Sequence, residues 1–222
     1  MRSRLRFRPG GLACIVLAAG GSRRLGRPKQ LVRYRQRALL LHALDAAAAV
    51  APGRVVVVLG ADALRLRALL RRHGAHAIPV SNCRWQHGLA GSLQAGLAAM
   101  PPATRAVLVM LTDQPAVTTN ALCRLLDAWR RRPNVTAAAR YACGIGVPAI
   151  LPHAVWRQLR SLKGDTGARA ILRESTQTTA VDMPEAEVDI DTTDDLTKLA
   201  NLSPTLIVRR HSRLAGSLAR RR

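Results

Sequence analysis

The sequence predicts a single α/β fold, doubly wound, with a mostly parallel sheet and helices on both faces, and three observations predict it. Aliphatic runs recur at Leu12–Leu17, Arg54–Leu59 and Arg105–Leu111 without polar alternation, as expected of strands covered on both faces. Between them lie stretches of helix formers, Arg37–Val50 and Ala61–His73, long enough to cross over between parallel strands. The chain has 222 residues, 48% of them hydrophobic, so it can bury a sizeable core.

Taken in order, Met1–Gly11 is Arg-rich, contains Pro9-Gly10-Gly11 and reads as a disordered arm. Leu12–Leu17 is the first strand. It stops at Ala18 and Ala19 and opens into Gly20-Gly21-Ser22, followed by Arg23, Arg24 and Lys29. Arg37–Val50 is the first helix, ended by Pro52-Gly53, and Arg54–Leu59 is a central strand. Ala61–His73 is a helix and Ala75–Val80 a short strand. Asn82–Gly96 breaks the pattern and becomes helical near Ser92. Arg105–Leu111 is a strand that runs into Thr112-Asp113-Gln114-Pro115, and Thr118–Arg131 is a helix with Thr118 or Thr119 as N-cap. Val135–Tyr141 and Val147–Leu151 read as strands, Pro152–Leu162 and Gly167–Glu174 as helices. Val188–Asp191 is strand-like, and Thr193–Leu202 is a closing helix. One domain spans residues 12–203, and residues 204–222 form a basic tail.

The net charge of +22 raises a nucleic-acid reading. Ten of the 35 basic residues lie in Met1–Gly10 and Arg209–Arg222, however, and with them removed the charge falls to +12. One Phe and two Tyr in the whole chain supply few platforms for stacking bases. Specific nucleic-acid binding is therefore not expected. Nothing approaches the roughly 18 apolar residues of a membrane span. Cys14, Cys83, Cys123 and Cys143 form no C-x-x-C pair, which argues against zinc or a disulfide framework and for a cytoplasmic setting. Cys14 and Cys123 fall on apolar runs and read as buried. Met1–Ser22 has the outline of a secretory signal, but cleavage near Ala19 would cut the glycine motif in two.

That motif carries the first chemical inference. Small residues at a strand's end let backbone N–H groups approach an anion, and long cationic side chains close over it. A polyphosphate is the expected guest, held by Leu17, Ala18, Ala19, Gly20, Gly21 and Ser22 with Arg24 and Lys29. Asp113 ends an apolar run, where a carboxylate is costly to bury unless a cation meets it. Mg2+ on nucleotide phosphates is such a cation. Of 13 acidic residues, seven lie between Asp182 and Asp195, which marks that stretch as the second acidic site.

The stretch from Leu12 to Leu31, LACIVLAAGGSRRLGRPKQL, resembles LAAGxSxRMGxPKxL, the opening signature of the MobA-like nucleotidyltransferases. Further blocks resemble the same family: Asn82-Cys83-Arg84-Trp85 with Gly88–Leu93, Asp113-Gln114-Pro115, Gly144–Ala149, Gly164–Arg169 and Val188–Leu196. The resemblance implies a Rossmann-like, nucleotide-diphospho-sugar transferase-like fold. It also implies Asp113 and Asp191 as Mg2+ ligands, with Mn2+ as an alternative ion and Asp189 as an alternative to Asp191. Gly88 and Ser92 would face the base. Gln114 is the form associated with the cytidylyltransferase branch. Thr193 stands where Pro is usual, and Val147 where molybdopterin cytidylyltransferases tend to carry His.

The expected activity is Mg-dependent nucleotidyl transfer, from CTP to a molybdopterin-type phosphate acceptor, with Arg24, Lys29 and Asp113 as catalytic residues. Molybdoenzymes of the xanthine dehydrogenase class, or their chaperones, are the implied partners. The alternatives are a GTP-using or sugar- or polyol-phosphate transferase of the same fold, and a non-catalytic anion or nucleic-acid binder.

Overall fold

A computed structural model describes residues 11–200 apart from 143, 169–170 and 173–176. The arm before Gly11, the tail 204–222, Cys143 and the last two residues of the expected closing helix lie outside the described residues.

The strand β1 (Leu12–Ala18) is buried along its length and lies between β4 (Val55–Leu59) and β6 (Ala106–Leu111), parallel to both. From β1 the chain runs through α1 (Leu39–Val50) to β4, then through α2 (Ala63–Arg72) to β5 (Ile78–Ser81) at one edge. It returns over α3 (Leu89–Ala98) to lay β6 on the other flank of β1. The direction of winding therefore reverses at β1, and a crevice opens above the carboxyl ends of β1 and β6. Beyond β6 come β8 (Gly144–Pro152) and β7 (Thr136–Tyr141), antiparallel to each other, and then β9 (Thr178–Asp182), parallel to β7. The seven-stranded order is β5-β4-β1-β6-β8-β7-β9.

Alternation along each strand divides the core into two layers. Cys14 and Val16 face α1 and α4 (Thr119–Arg131) with Leu40, Leu44, Leu122 and Leu125. Ile15 and Leu17 face α3 and α5 (Trp156–Ser161) with Leu93, Leu97, Trp156 and Leu159. Burying each of Ile15, Leu40, Leu93 and Leu122 completely contributes about 1.5–3 kcal/mol. Thr118 caps α4 as expected, its hydroxyl accepting from Ala121 N at 3.4 Å.

Three expectations change. Arg37 and Ala38 are not helical: they form β3 (Arg37–Ala38), paired with β2 (Arg33–Tyr34) in a hairpin. Its turn holds Arg35 and Gln36 at φ 47° and 63°, the conformation that a two-residue hairpin loop demands. Val188–Asp191 joins no strand, and the sheet edge is taken by β9, whose Thr178-Thr179-Ala180 start gives little apolar signal. Cys123 is only partly buried, because it lies on the flank of α4. Within the expected helix over Gly167–Glu174, the described residues Ala168, Ile171 and Leu172 are helical and buried. The closing helix, α6 (Thr193–Ala200), begins where expected. Among the described residues no helix is long and apolar enough to cross a membrane.

Candidate active site

The loop that follows β1 is braced from within. Gln30 is buried and donates from Nε2 to the carbonyls of Ala18 and Gly20 at 3.0 and 2.9 Å. The Ser22 hydroxyl accepts from Lys29 N at 3.0 Å, closing Ser22–Lys29 into a compact turn. The Trp85 ring lies on Gly21, and a Cβ there would come within 3.0 Å of the indole. A side chain at position 21 would have to push the indole aside by a few tenths of an ångström.

The Leu17↔Leu111 register sets this loop beside the end of β6, where Asp113 is 8% exposed. Lys29 Nζ donates to Asp113 Oδ2 and, at 3.0 Å, to Asp191 Oδ1. Arg24 Nη2 donates to Asp191 Oδ2 at 2.7 Å. Burial pulls the Lys29 pKa down, but the charges of Asp113 and Asp191 and their hydrogen bonds outweigh it and leave the pKa above its ordinary value. The side chain is therefore an ammonium at neutral pH. Asp189 goes the same way for other reasons: burial, then the charges of Asp113 and Asp191, push its carboxyl pKa up.

The closing segment is pinned at several points. Ile190 N donates to Asp113 O at 2.9 Å, and the Ile190 side chain is buried with Leu25, Val32 and Leu39. The Asp195 carboxylate accepts from Thr192 N at 2.9 Å and from Asp191 N at 3.2 Å, while the Thr192 hydroxyl accepts from Asp195 N at 3.3 Å. This is a capping box at the start of α6. It holds Asp191 in place without the proline usual at position 193.

Across the cleft, the Ser92 hydroxyl accepts from Asn82 Nδ2 at 3.0 Å and is almost wholly buried, which leaves its proton to offer. Gly88 adopts φ 105°, and a Cβ on it would come within 2.1 Å of Gly164 C. Only glycine lets the loop around Gly164 lie there, where Ala90 N donates to Gly164 O at 3.0 Å. The cleft has a volume of about 560 Å³. Leu17, Ala18, Ala19, Gly20, Gly21, Arg24, Lys29, Gly88, Ser92, Asp113 and Asp191 all line it, so every site residue expected from the sequence except Ser22 is on its wall. Ser22 sits behind the wall, holding Lys29. An adjoining chamber of about 410 Å³ is lined by Val109, Tyr141 and Val147 together with the polar Gln114 and Glu187, and it shares Leu17, Leu89, Leu111, Asp165 and Asp189 with the cleft.

A family model, the MobA-like NTP transferase domain, matches residues 14–181. The chain belongs to that family. The MobA-like domain is also 35% identical over 172 residues to nicotine blue oxidoreductase of Paenarthrobacter nicotinovorans, covering 72% of this chain and 80% of that protein. Rv0371c of Mycobacterium tuberculosis superposes with a TM-score of 0.74 at 31% identity, over 87% of this chain and all of that one. A second crystal structure of Rv0371c is a complex with manganese, with a TM-score of 0.69, 30% identity and the same coverage. Molybdopterin-guanine dinucleotide biosynthesis protein A of Archaeoglobus fulgidus shares the fold, with a TM-score of 0.65 at 18% identity over 84% of this chain and 96% of that one.

The donor set of this MobA-like site fits a divalent ion. Asp113 Oδ1 is buried and has no hydrogen-bond partner, while Asp191 stands on the same ammonium. Among the described residues no three His, Cys, Asp or Glu side chains form a metal cage. Mg2+ does not require one, since it takes one or two carboxylates and fills its shell with phosphate oxygens and water. Sequence alone assigns no role to Gln30, Asn82 or Asp195 and marks Gln114 only as a branch feature. Gln30 and Gln114 each follow directly after a site residue, and that adjacency was the signal available.

Proposed function

We propose that the protein is a CTP:molybdopterin cytidylyltransferase that works in the cytoplasm, moves a cytidylyl group from CTP to the terminal phosphate of a molybdopterin-type acceptor, and releases pyrophosphate. The observation that carries the reading is the Lys29–Asp113–Asp191 cluster beside the Ala18–Ser22 loop, with cations for a triphosphate and carboxylates for a divalent ion in one cleft. Membership of the NTP transferase family supports it.

An acceptor oxygen would attack the α-phosphorus, and the bond to the bridging oxygen would break with its electron pair leaving on pyrophosphate. A phosphate monoester is already largely dianionic near neutral pH, so the acceptor needs no base. In keeping with this, no histidine lines the cleft among the described residues. Catalysis is then alignment and charge neutralisation. Arg24 and Lys29 hold the β- and γ-phosphates, and phosphate oxygens compete with Asp113 and Asp191 for the Lys29 ammonium. Backbone from Leu17 to Gly21 cradles the phosphates, while Gly88 and Ser92 receive the base. Asp113 and Asp191 would hold Mg2+, or Mn2+, which when bound neutralises charge on the α-phosphate. The product would pass to molybdoenzymes of the xanthine dehydrogenase class or to their chaperones.

The test is pyrophosphate release with each of the four NTPs, with and without Mg2+, in the presence of molybdopterin. Release that needs CTP and metal supports the reading; release with GTP, or with a sugar or polyol phosphate as acceptor, moves it to a neighbouring transferase. The adjoining chamber and the identity to nicotine blue oxidoreductase favour a second reading, in which the chamber holds a reducible ring. Metal-independent consumption of a reduced nicotinamide dinucleotide, with no pyrophosphate formed, would establish that one instead.

A further inference from the structure

We propose that Gln114 is a positioning residue that sets the spacing of the two metal-holding carboxylates. Its Nε2 donates to Val147 O at 3.1 Å and to Ala186 O at 2.6 Å, so one amide group ties the end of β6 to β8 and to the short 3-10 helix Pro184–Glu187. Both anchors are backbone carbonyls, which no substitution of a neighbouring side chain removes. Asp113 O accepts from Ile190 N at 2.9 Å. Two consecutive residues thus grip the closing segment on either side of Val188 and Asp189, just ahead of Asp191. With Gln114 gone, the segment keeps the Ile190 bond and the capping box but loses its tie at Ala186, so the backbone leading into Asp191 is held to the end of β6 at one point instead of two.

Gln114 Oε1 is buried without a partner, so the residue acts through its two N–H groups alone. Gln30 repeats the device at the end of the neighbouring strand β1, where its Nε2 spans Ala18 O and Gly20 O and its own Oε1 is likewise buried and unpartnered. One side-chain amide therefore serves each half of the site: Gln30 the anion loop, Gln114 the carboxylates. Outer partners that orient metal ligands typically govern affinity by about 10–100-fold.

The inference rests on the proposed metal role of Asp113 and Asp191, and the experiment separates the two. Mn2+ affinity of the full-length protein is measured by electron paramagnetic resonance without nucleotide, and CTP affinity is measured without metal. Gln114→Met should weaken Mn2+ about tenfold and leave metal-free CTP binding unchanged, whereas Gln30→Met should weaken CTP and spare Mn2+. In turnover, Gln114→Met should raise the Mg2+ concentration needed for half-maximal rate more than it lowers the rate at saturating metal. Gln114→Asn keeps the amide but is one methylene too short to span both carbonyls. It serves if the Met variant does not fold, and it should show the same loss. Unchanged Mn2+ affinity in a folded Gln114 variant, while Asp113→Asn abolishes binding, would overturn the positioning role and spare the metal reading. Equal loss in the Gln30 and Gln114 variants would also overturn it. Mn2+ binding that survives Asp113→Asn, or no Mn2+ binding by the unaltered protein, would overturn both.

Discussion

In the wall of the cleft that follows β1, Gln30 donates to Ala18 and Gly20, 12 and 10 positions away, whereas behind the neighbouring wall that follows β6 Gln114 reaches Val147 and Ala186, 33 and 72 positions away. The first wall is a loop that closes on itself as soon as β1 has a neighbour. The second exists only when the far half of the sheet and the closing segment are in place. Closing a longer stretch of chain costs more entropy, so contacts of the second kind need more of the fold behind them. The anion loop should therefore outlast the carboxylate pair as the fold is weakened, and metal affinity should fall before phosphate affinity does.

The largest expected effect lies where the walls meet. Lys29→Ala and Asp113→Ala should each reduce pyrophosphate release by about 10²–10³-fold, with the secondary structure intact by circular dichroism. Near-normal release by both would break the comparison, because neither wall would then need the other. Gly88→Ala comes next: it must strain a backbone at φ 105° and push Gly164 away, at a cost of about 2–4 kcal/mol. Chemical denaturation would measure that loss, and CTP affinity should fall with it. Gln36→Gly acts outside both walls. Relieving a positive φ in the β2–β3 turn should add about 0.5–1 kcal/mol and leave Mn2+ affinity untouched. A change in affinity would show that the hairpin belongs to the site.

The smallest effect concerns Asp189, whose carboxyl pKa is raised by burial and then by its acidic neighbours. A carboxyl group raised in the folded state favours folding below its unfolded value of about 3.9 and loses that contribution as pH rises through its folded value. Asp189→Asn should thus raise Tm at neutral pH, by on the order of 1 °C after screening. The gain should vanish in acid, where Asp189 is protonated in both states. A gain that persists in acid would point to packing instead of charge.

How much was legible follows the same division. The anion loop could be read from residue order alone, since a buried run, small residues and then cations occupy adjacent positions. Asp113 could be read because it ends an apolar strand. Asp191 came from resemblance, since nothing local distinguishes it from Asp189 or Asp194 within the acidic stretch. The fold class was legible from non-alternating runs, while β9 and the β2–β3 hairpin were not. Thr178-Thr179-Ala180 carries too little apolar character to mark an edge strand, and the hairpin turn uses Arg35 and Gln36 where glycine or asparagine would have signalled it. Gln30 and Gln114 left no periodic or charge signature because their work is done on distant backbone.

The indole resting on Gly21 has a practical corollary. Of the three tryptophans in the chain, Trp156 is buried under the sheet and Trp129 lies against the opposite layer, so Trp85 alone borders the cleft. Its emission should respond to whatever settles on the loop, and the difference spectrum against Trp85→Phe turns the protein into its own optical gauge of occupancy.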